Sequence, residues 1–322
     1  MKIFVSRKIP APGLELLRKQ HEIQVNPDDR VLTKKEIIQG LKGKDGLLCL
    51  LTDIIDKEVI ESEPNLKMIA NYAVGYNNID IKTANKYKIP VSNTPDVLTD
   101  TTAEMAWALL FSVARRIVEA DKFTRQCKFK GWAPMLMHGQ DVTGKTLGVI
   151  GTGRIGVAFA LKSKGFKMNV LYYDQVKNKQ LEKEVSAKKV ELNQLLEESD
   201  FVSLHVPLLP STHHLIGEKQ LKMMKKTAIL INTSRGPVID EKALVKALKN
   251  NWIFGAGLDV YEHEPEINKE LFKLENVVLQ PHSASATTET RTKMAIMAAE
   301  NMILGLKGEV PLNCINPEIF KS

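Results

Sequence analysis

The chain has 322 residues, 43% hydrophobic and 26% charged, which suffices for two ordinary cores and excludes a disordered or fibrous protein. Its formal charge of +7 comes from lysines dispersed among acids, with no basic block interleaved with stacking aromatics, so nucleic acid is not an expected partner. The longest nearly unbroken apolar run, residues 106–114, is shorter than the ~20 residues of a membrane span, and the first residues lack the form of a secretory signal; no membrane partner and a cytoplasmic location are expected.

In chain order, short apolar runs at 3–6, 23–25, 46–51, 66–74 and 89–92 predict strands alternating with helices, hence a small parallel sheet. Pro12-Gly13 opens one helix, and Thr33-Lys34-Lys35-Glu36 has the form of a capping box ahead of Ile37, Ile38 and Leu41. From Asp100 to about Gln126 the apolar spacing predicts one long helix. Residues 127–143 lack periodicity yet carry Trp132, Met135, Leu136 and Met137, more apolar surface than a free loop tolerates, so a second subunit is expected to cover them. Six buried-strand runs follow, at 147–150, 168–174, 201–206, 228–234, 254–260 and 277–281, enough for a complete dinucleotide fold. A last helix over about 287–306 returns the chain to the first domain.

Gly151-Thr152-Gly153-Arg154-Ile155-Gly156 follows the strand at 147–150 and opens a helix. In that context the first glycine permits a tight turn, the second lets the backbone approach a pyrophosphate, the third allows close helix packing, and the helix N-terminus attracts negative charge. Arg154 can add a direct phosphate contact. Asp174 ends the next strand about 20 residues on, where a carboxylate accepts from both ribose hydroxyls and repels a 2'-phosphate; NAD is favoured over NADP. Gly139-Gln140-Asp141-Val142-Thr143-Gly144-Lys145-Thr146 matches a phosphate-binding loop by letters, but leads into a strand where the mechanism requires a helix.

Hydride transfer to a 2-keto acid needs a cation for the carboxylate, a proton donor for the carbonyl oxygen and a partner that keeps the donor charged. Open parallel sheets bind ligands at the carboxyl ends of their strands. Arg235, Glu264 and His282 each follow such an end. Arg235 offers a planar fork for carboxylate and carbonyl, His282 suits acid-base work near neutral pH, and Glu264 favours the imidazolium. Taken singly, each also fits a surface ion pair or helix cap. His205 closes a strand and could line the adenine pocket; His263 adjoins Glu264; His21, His138, His213 and His214 lack an acidic neighbour at a strand end and read as surface residues. No set has metal-ligand spacing, and Cys49, Cys127 and Cys314 read as reduced thiols.

With these residues assembled, the chain resembles the D-isomer-specific 2-hydroxyacid dehydrogenases along essentially its whole length. The resemblance rests on Asn71-Tyr72-Ala73-Val74-Gly75-Tyr76-Asn77-Asn78-Ile79-Asp80, Asn93-Thr94-Pro95-Asp96-Val97-Leu98, the glycine turn, Asn232-Thr233-Ser234-Arg235-Gly236, the stretch from Gly257 through Asp259 to Glu264-Pro265, and Pro281-His282. It implies an α/β protein of two Rossmann-like domains: a doubly wound parallel-sheet NAD-binding domain at 100–288 and a smaller flavodoxin-like substrate domain at 1–99 plus 289–322. It implies Arg235, Glu264 and His282 as the catalytic trio, with Leu51 and the Val74 and Gly75 amides at the substrate. Thr102, Arg154, Ile155, Asp174, His205, Pro207, Thr233, Ser234 and Ala284 are implied along the cofactor, with Asp259 orienting the nicotinamide carboxamide. Ala284 stands where the family usually has glycine.

Leu50-Leu51-Thr52-Asp53 and Gly131-Trp132-Ala133-Pro134 are most similar to glyoxylate and hydroxypyruvate reductases within the family. The expectation is therefore a homodimer that closes its smaller domain over NAD and reduces a small 2-keto acid to the D-2-hydroxy acid. The alternatives are a phosphoglycerate or D-lactate dehydrogenase, or an NAD-sensing corepressor-like binding scaffold.

Overall fold

The computed structural model describes residues 1–321 and divides into two compact units, Met1–Leu98 with Ala286–Ser322, and Thr99–Ser285. In the first unit, strands β1 (Lys2–Val5), β2 (Glu22–Val25), β3 (Gly46–Leu50), β4 (Met68–Tyr72) and β5 (Val91–Ser92) alternate with helices α1 (Ala11–Arg18), α2 (Lys34–Leu41), α3 (Lys57–Glu61) and α4 (Ile81–Lys86). The strands pair in parallel in the order β2-β1-β3-β4-β5, a flavodoxin-like arrangement. Parallel strands covered on both faces read as continuous apolar runs, and β4 is buried throughout. Ile37 and Leu41 of α2, Val59 and Ile60 of α3 and Ala84 of α4 pack with Phe4, Leu47 and Ile69 of the sheet. Helix α2 starts as its letters predict: Thr33 accepts from the Glu36 amide and Glu36 reaches back to Thr33.

The second unit opens with α5 (Thr99–Ala114) and α6 (Ile117–Arg125). It continues through β6 (Thr146–Ile150), α7 (Arg154–Lys162), β7 (Asn169–Tyr173), α8 (Lys179–Glu184), β8 (Lys188–Lys189), α9 (Leu192–Glu198), β9 (Phe201–Leu204), α10 (Glu218–Met223), β10 (Ile229–Asn232), α11 (Glu241–Lys249), β11 (Gly255–Leu258) and β12 (Val277–Leu279). The strand order is β12-β11-β10-β9-β6-β7-β8, all parallel, so the order reverses between β6 and β9. One apolar core gathers Leu195, Leu221, Leu244 and Leu248 from α9, α10 and α11 on one face of the sheet. The other gathers Ala106, Leu110, Phe159 and Leu181 from α5, α7 and α8 on the opposite face. The chain then runs into α12 (Thr288–Leu306), capped by Thr287, which belongs to the first unit and packs on α1 and β4.

Two expectations fail here for local reasons. The helix expected over 100–126 breaks at Arg116, which takes a left-handed conformation at φ 51°. The Ala114 carbonyl accepts from the Gln140 amide at 2.7 Å, so the returning segment ends the helical ladder. Arg116 is held in place by Glu119 at 2.6 Å. The sheet has seven strands where six were expected, because β8 is a two-residue polar edge strand with no apolar run to betray it. The phosphate-loop look-alike ends in β6, as its context requires.

Candidate active site

The glycine turn lies after β6, at the reversal of strand order, where open parallel sheets bind ligands. Gly151 has φ 92°, which glycine alone adopts readily, and a Cβ on Gly156 would lie 2.0 Å from the Gly151 carbonyl oxygen. Around Gly153 there is open space, so a phosphate can approach the backbone. Arg154 is exposed and Ile155 half-buried in the first turn of α7.

Asp174 follows β7 and accepts from the Thr152 amide at 2.6 Å and the Thr152 hydroxyl at 2.9 Å. Partial burial opposes its charge, but these bonds prevail and hold the carboxyl below its ordinary pKa. His205 supports this turn from beneath. Its ring packs on Phe159 with centroids 4.9 Å apart and bonds Ser203 Oγ at 2.9 Å, and burial pushes its pKa down to about 3, so it is neutral. Thr102 is buried on α5, and Pro207 is exposed with its carbonyl accepting from Thr212. The Thr233 hydroxyl is buried without a partner among the described residues, whereas Ser234 already donates to Asn232 at 2.8 Å. A glycine turn at a helix start, an ionised acid beyond the next strand and an orphaned buried hydroxyl together fit a dinucleotide.

The reacting groups come from three adjacent strands. Parallel register places Asn232 beside Leu258 and Leu258 beside Leu279, so the segments bearing Arg235, Glu264 and His282 leave the same edge of the sheet. The structure brings Glu264 and His282 together: His282 Nδ1 lies 2.7 Å from Glu264 Oε2, while Glu264 Oε1 accepts from the Tyr261 amide at 2.9 Å. Partial burial works against charge on Glu264, yet the hydrogen bond and charge of His282, the Tyr261 amide and the Arg235 guanidinium hold its carboxyl below the usual range. Burial lowers the pKa of Arg235, and the Glu264 charge opposes that shift; arginine stays protonated regardless. The side chains of His282 and Glu264 remain 27% and 29% exposed, so a ligand can reach them.

Asp259 is fully buried, which raises its pKa against the pull of the amides it binds. Its oxygens accept from the Ser283 and Ala284 amides at 2.7 and 2.9 Å, shaping the turn in which His282 takes φ 53°. The Ala284 methyl is accommodated in a buried position.

The expected substrate residues Leu51, Val74 and Gly75 lie in the first unit, each half-buried. Asn93 donates to the Val74 carbonyl at 2.7 Å and Asn71 to the Gly75 carbonyl at 2.9 Å. Asn78 donates to the carbonyls of Leu50 and Asp53, and buried Asp53 bonds Ser6. Among the described residues the Val74 and Gly75 amides have no acceptor in the chain, so both can face an anion. No short motif marks Asp53 and Asn78 as supports: Asp53 joins the Leu50 amide to the Ser6 hydroxyl 47 residues away, and Asn78 reaches backbone carbonyls 25 and 28 residues away. His214 is exposed, as expected, and bonds Glu262 at 2.7 Å, an acid 48 residues away, whereas His21, expected at the surface, is a partly buried ring whose nitrogens lack partners among the described residues.

A family model described as "D-isomer specific 2-hydroxyacid dehydrogenase, NAD binding domain" matches residues 107–284. The chain is 55% identical to a glyoxylate reductase of Korarchaeum cryptofilum, over 99% of this chain and 97% of the relative. It belongs to the D-isomer-specific 2-hydroxyacid dehydrogenases. A glyoxylate reductase of Thermococcus litoralis is 51% identical over 100% of this chain and 98% of its own. Among solved structures, the NADPH-dependent glyoxylate/hydroxypyruvate reductase of Sinorhizobium meliloti, in complex with NADP and malonate, superposes with a TM-score of 0.87 at 30% identity, covering 98% and 96% of the two chains. As a 2-hydroxyacid dehydrogenase the protein is an oxidoreductase that uses a nicotinamide cofactor on a small keto or hydroxy acid. Among the described residues no helix is long and apolar enough to cross a membrane, and no group of side chains could hold a metal ion.

Proposed function

We propose that the protein reduces glyoxylate to glycolate, or hydroxypyruvate to the D-2-hydroxy acid, with NADH, with Arg235, Glu264 and His282 as its catalytic residues. The observation that carries this reading is the Glu264–His282 bond of 2.7 Å at the strand edge shared with Arg235. The glycine turn and Asp174 would hold a reduced dinucleotide, which would supply the hydride for the carbonyl carbon. The Arg235 fork binds carboxylate and carbonyl oxygens and draws charge onto the latter. With Nδ1 engaged by Glu264, His282 presents Nε2, which gives its proton to that oxygen as the carbon–oxygen π pair moves there. Glu264 stabilises the imidazolium before transfer and keeps the ring oriented. The paired amides of Val74 and Gly75 suit a carboxylate.

Asp174 supports NADH over NADPH, since an ionised carboxylate repels a 2'-phosphate. Strongly exposed Trp132 (84%) and Met135 (77%) support a homodimer in which this segment is covered, and the free cysteines accord with a cytoplasmic location. No observation in the fold or among the relatives favours a binding scaffold. The test is oxidation of NADH and NADPH with glyoxylate, hydroxypyruvate and pyruvate in turn. Turnover of the first two with NADH is expected; silence with all three acids would remove the proposal.

A further inference from the structure

We propose that Glu241 is a positioning residue for the proton-transfer pair, its buried carboxylate gripping both flanks of the turn that carries Glu264. This rests on the roles proposed above for Glu264 and His282. Glu241 is the first residue of α11, yet only 8% exposed. An acid in that place ordinarily caps its own helix or faces water, but here Asp240 does the capping, accepting from the Ala243 amide at 3.0 Å. Glu241 turns elsewhere. Its Oε2 accepts from the Glu262 amide and its Oε1 from the Asn268 amide, both at 3.1 Å.

Residues 262 and 268 bracket the segment that matters. Between them the Glu266 amide bonds the His263 carbonyl at 2.9 Å, making a tight turn with Glu264 and Pro265 at its centre. The grip is returned, because Glu262 Oε2 accepts from the Glu241 amide at 3.0 Å, and Glu262 Oε1 is engaged by His214. His263 lies 4.0 Å from the same Glu262 oxygen. A Cβ on Gly236 would lie 1.8 Å from the Tyr261 carbonyl oxygen, so the Arg235 segment packs flush against the start of this stretch. Among the described residues no lysine or arginine pairs with the Glu241 carboxylate, whose partners are backbone amides. A buried carboxylate satisfied by amides from one loop specifies where that loop sits. A displaced loop would carry Glu264 away from His282.

The experiment compares Glu241→Gln with Asp240→Ala, which weakens the same helix start without touching the 262–268 turn. Expected for Glu241→Gln is a kcat lower by about tenfold, an unchanged Kd for NADH, and a basic limb of the kcat/KM profile for keto-acid reduction moved to lower pH by about half a unit or more, because a less well partnered imidazole loses its proton earlier. Asp240→Ala should lose thermal stability while keeping the wild-type profile. A Glu241→Gln profile parallel to wild type, with losses that track melting temperature as in Asp240→Ala, overturns the proposal, as does a rise in NADH Kd that accounts for the lost activity. The second readout is the His282 Nδ1–H resonance by NMR in the full protein, expected downfield in the wild type through the bond to Glu264 and moved upfield in Glu241→Gln; an unmoved resonance overturns it. That readout needs no substrate, so inactivity of the wild type toward keto acids would remove the functional reading and leave this inference to the NMR result.

Discussion

Two loops at the same edge of the seven-stranded sheet are built on opposite principles. The turn after β6 is mainly local: a left-handed Gly151, a close contact at Gly156 and the start of α7 shape it within six consecutive residues, with Asp174 and His205 buttressing it from the next strands. The site after β10, β11 and β12 is assembled from segments dozens of residues apart, and its geometry depends on Asp259 holding backbone amides of the loop after β12 and on Glu264 bonding the His282 ring of that loop. A local turn tolerates change in its surroundings, whereas an assembled site should respond to single substitutions with large losses in rate and little change in cofactor binding.

The largest separation is expected at His282. In His282→Gln, kcat for keto-acid reduction should fall by roughly 10²–10⁴-fold while NADH affinity by fluorescence titration stays near wild type; a parallel loss of both would merge the two loops into one function. Next, Arg235→Lys keeps the charge but loses the fork, so kcat/KM for the acid should drop by about ten- to a hundredfold, read by steady-state kinetics, again without change in NADH affinity. The reverse pattern belongs to the turn after β6. Asp174→Ala should weaken NADH by about tenfold and narrow its advantage over NADPH, with kcat at saturating cofactor preserved.

The smallest effect concerns stability. The folded Glu264 carboxyl lies below its ordinary pKa, so its stabilising contribution is complete above the unfolded value of about 4.3 and is lost as pH falls through the lower folded value. Urea melts of wild type and Glu264→Gln should therefore differ most near neutral pH and converge as acid is added below about pH 4.

The same contrast explains what could be read from the letters. The strand alternation, the glycine turn with Asp174, and the trio at strand ends were visible because each rests on short-range periodicity or on the rule that parallel sheets bind ligands at one edge. The break at Arg116 was not, since it depends on Gln140 reaching back to Ala114, and β8 was not, since an edge strand of two lysines carries no apolar signal. Asp53, Asn78 and Glu241 were equally hidden. Apart from the Ser6 hydroxyl on Asp53, their partners are backbone amides and carbonyls, which nearly every residue possesses, so no residue type marks the far end of the bond.

The most direct test follows the hydride itself. NADH deuterated at the transferring position of the nicotinamide, incubated with hydroxypyruvate and the enzyme, should yield D-glycerate carrying the label at the carbon next to the carboxylate, and His282→Gln should abolish its formation. Unlabelled product, the L isomer, or undiminished labelling by His282→Gln would contradict the account.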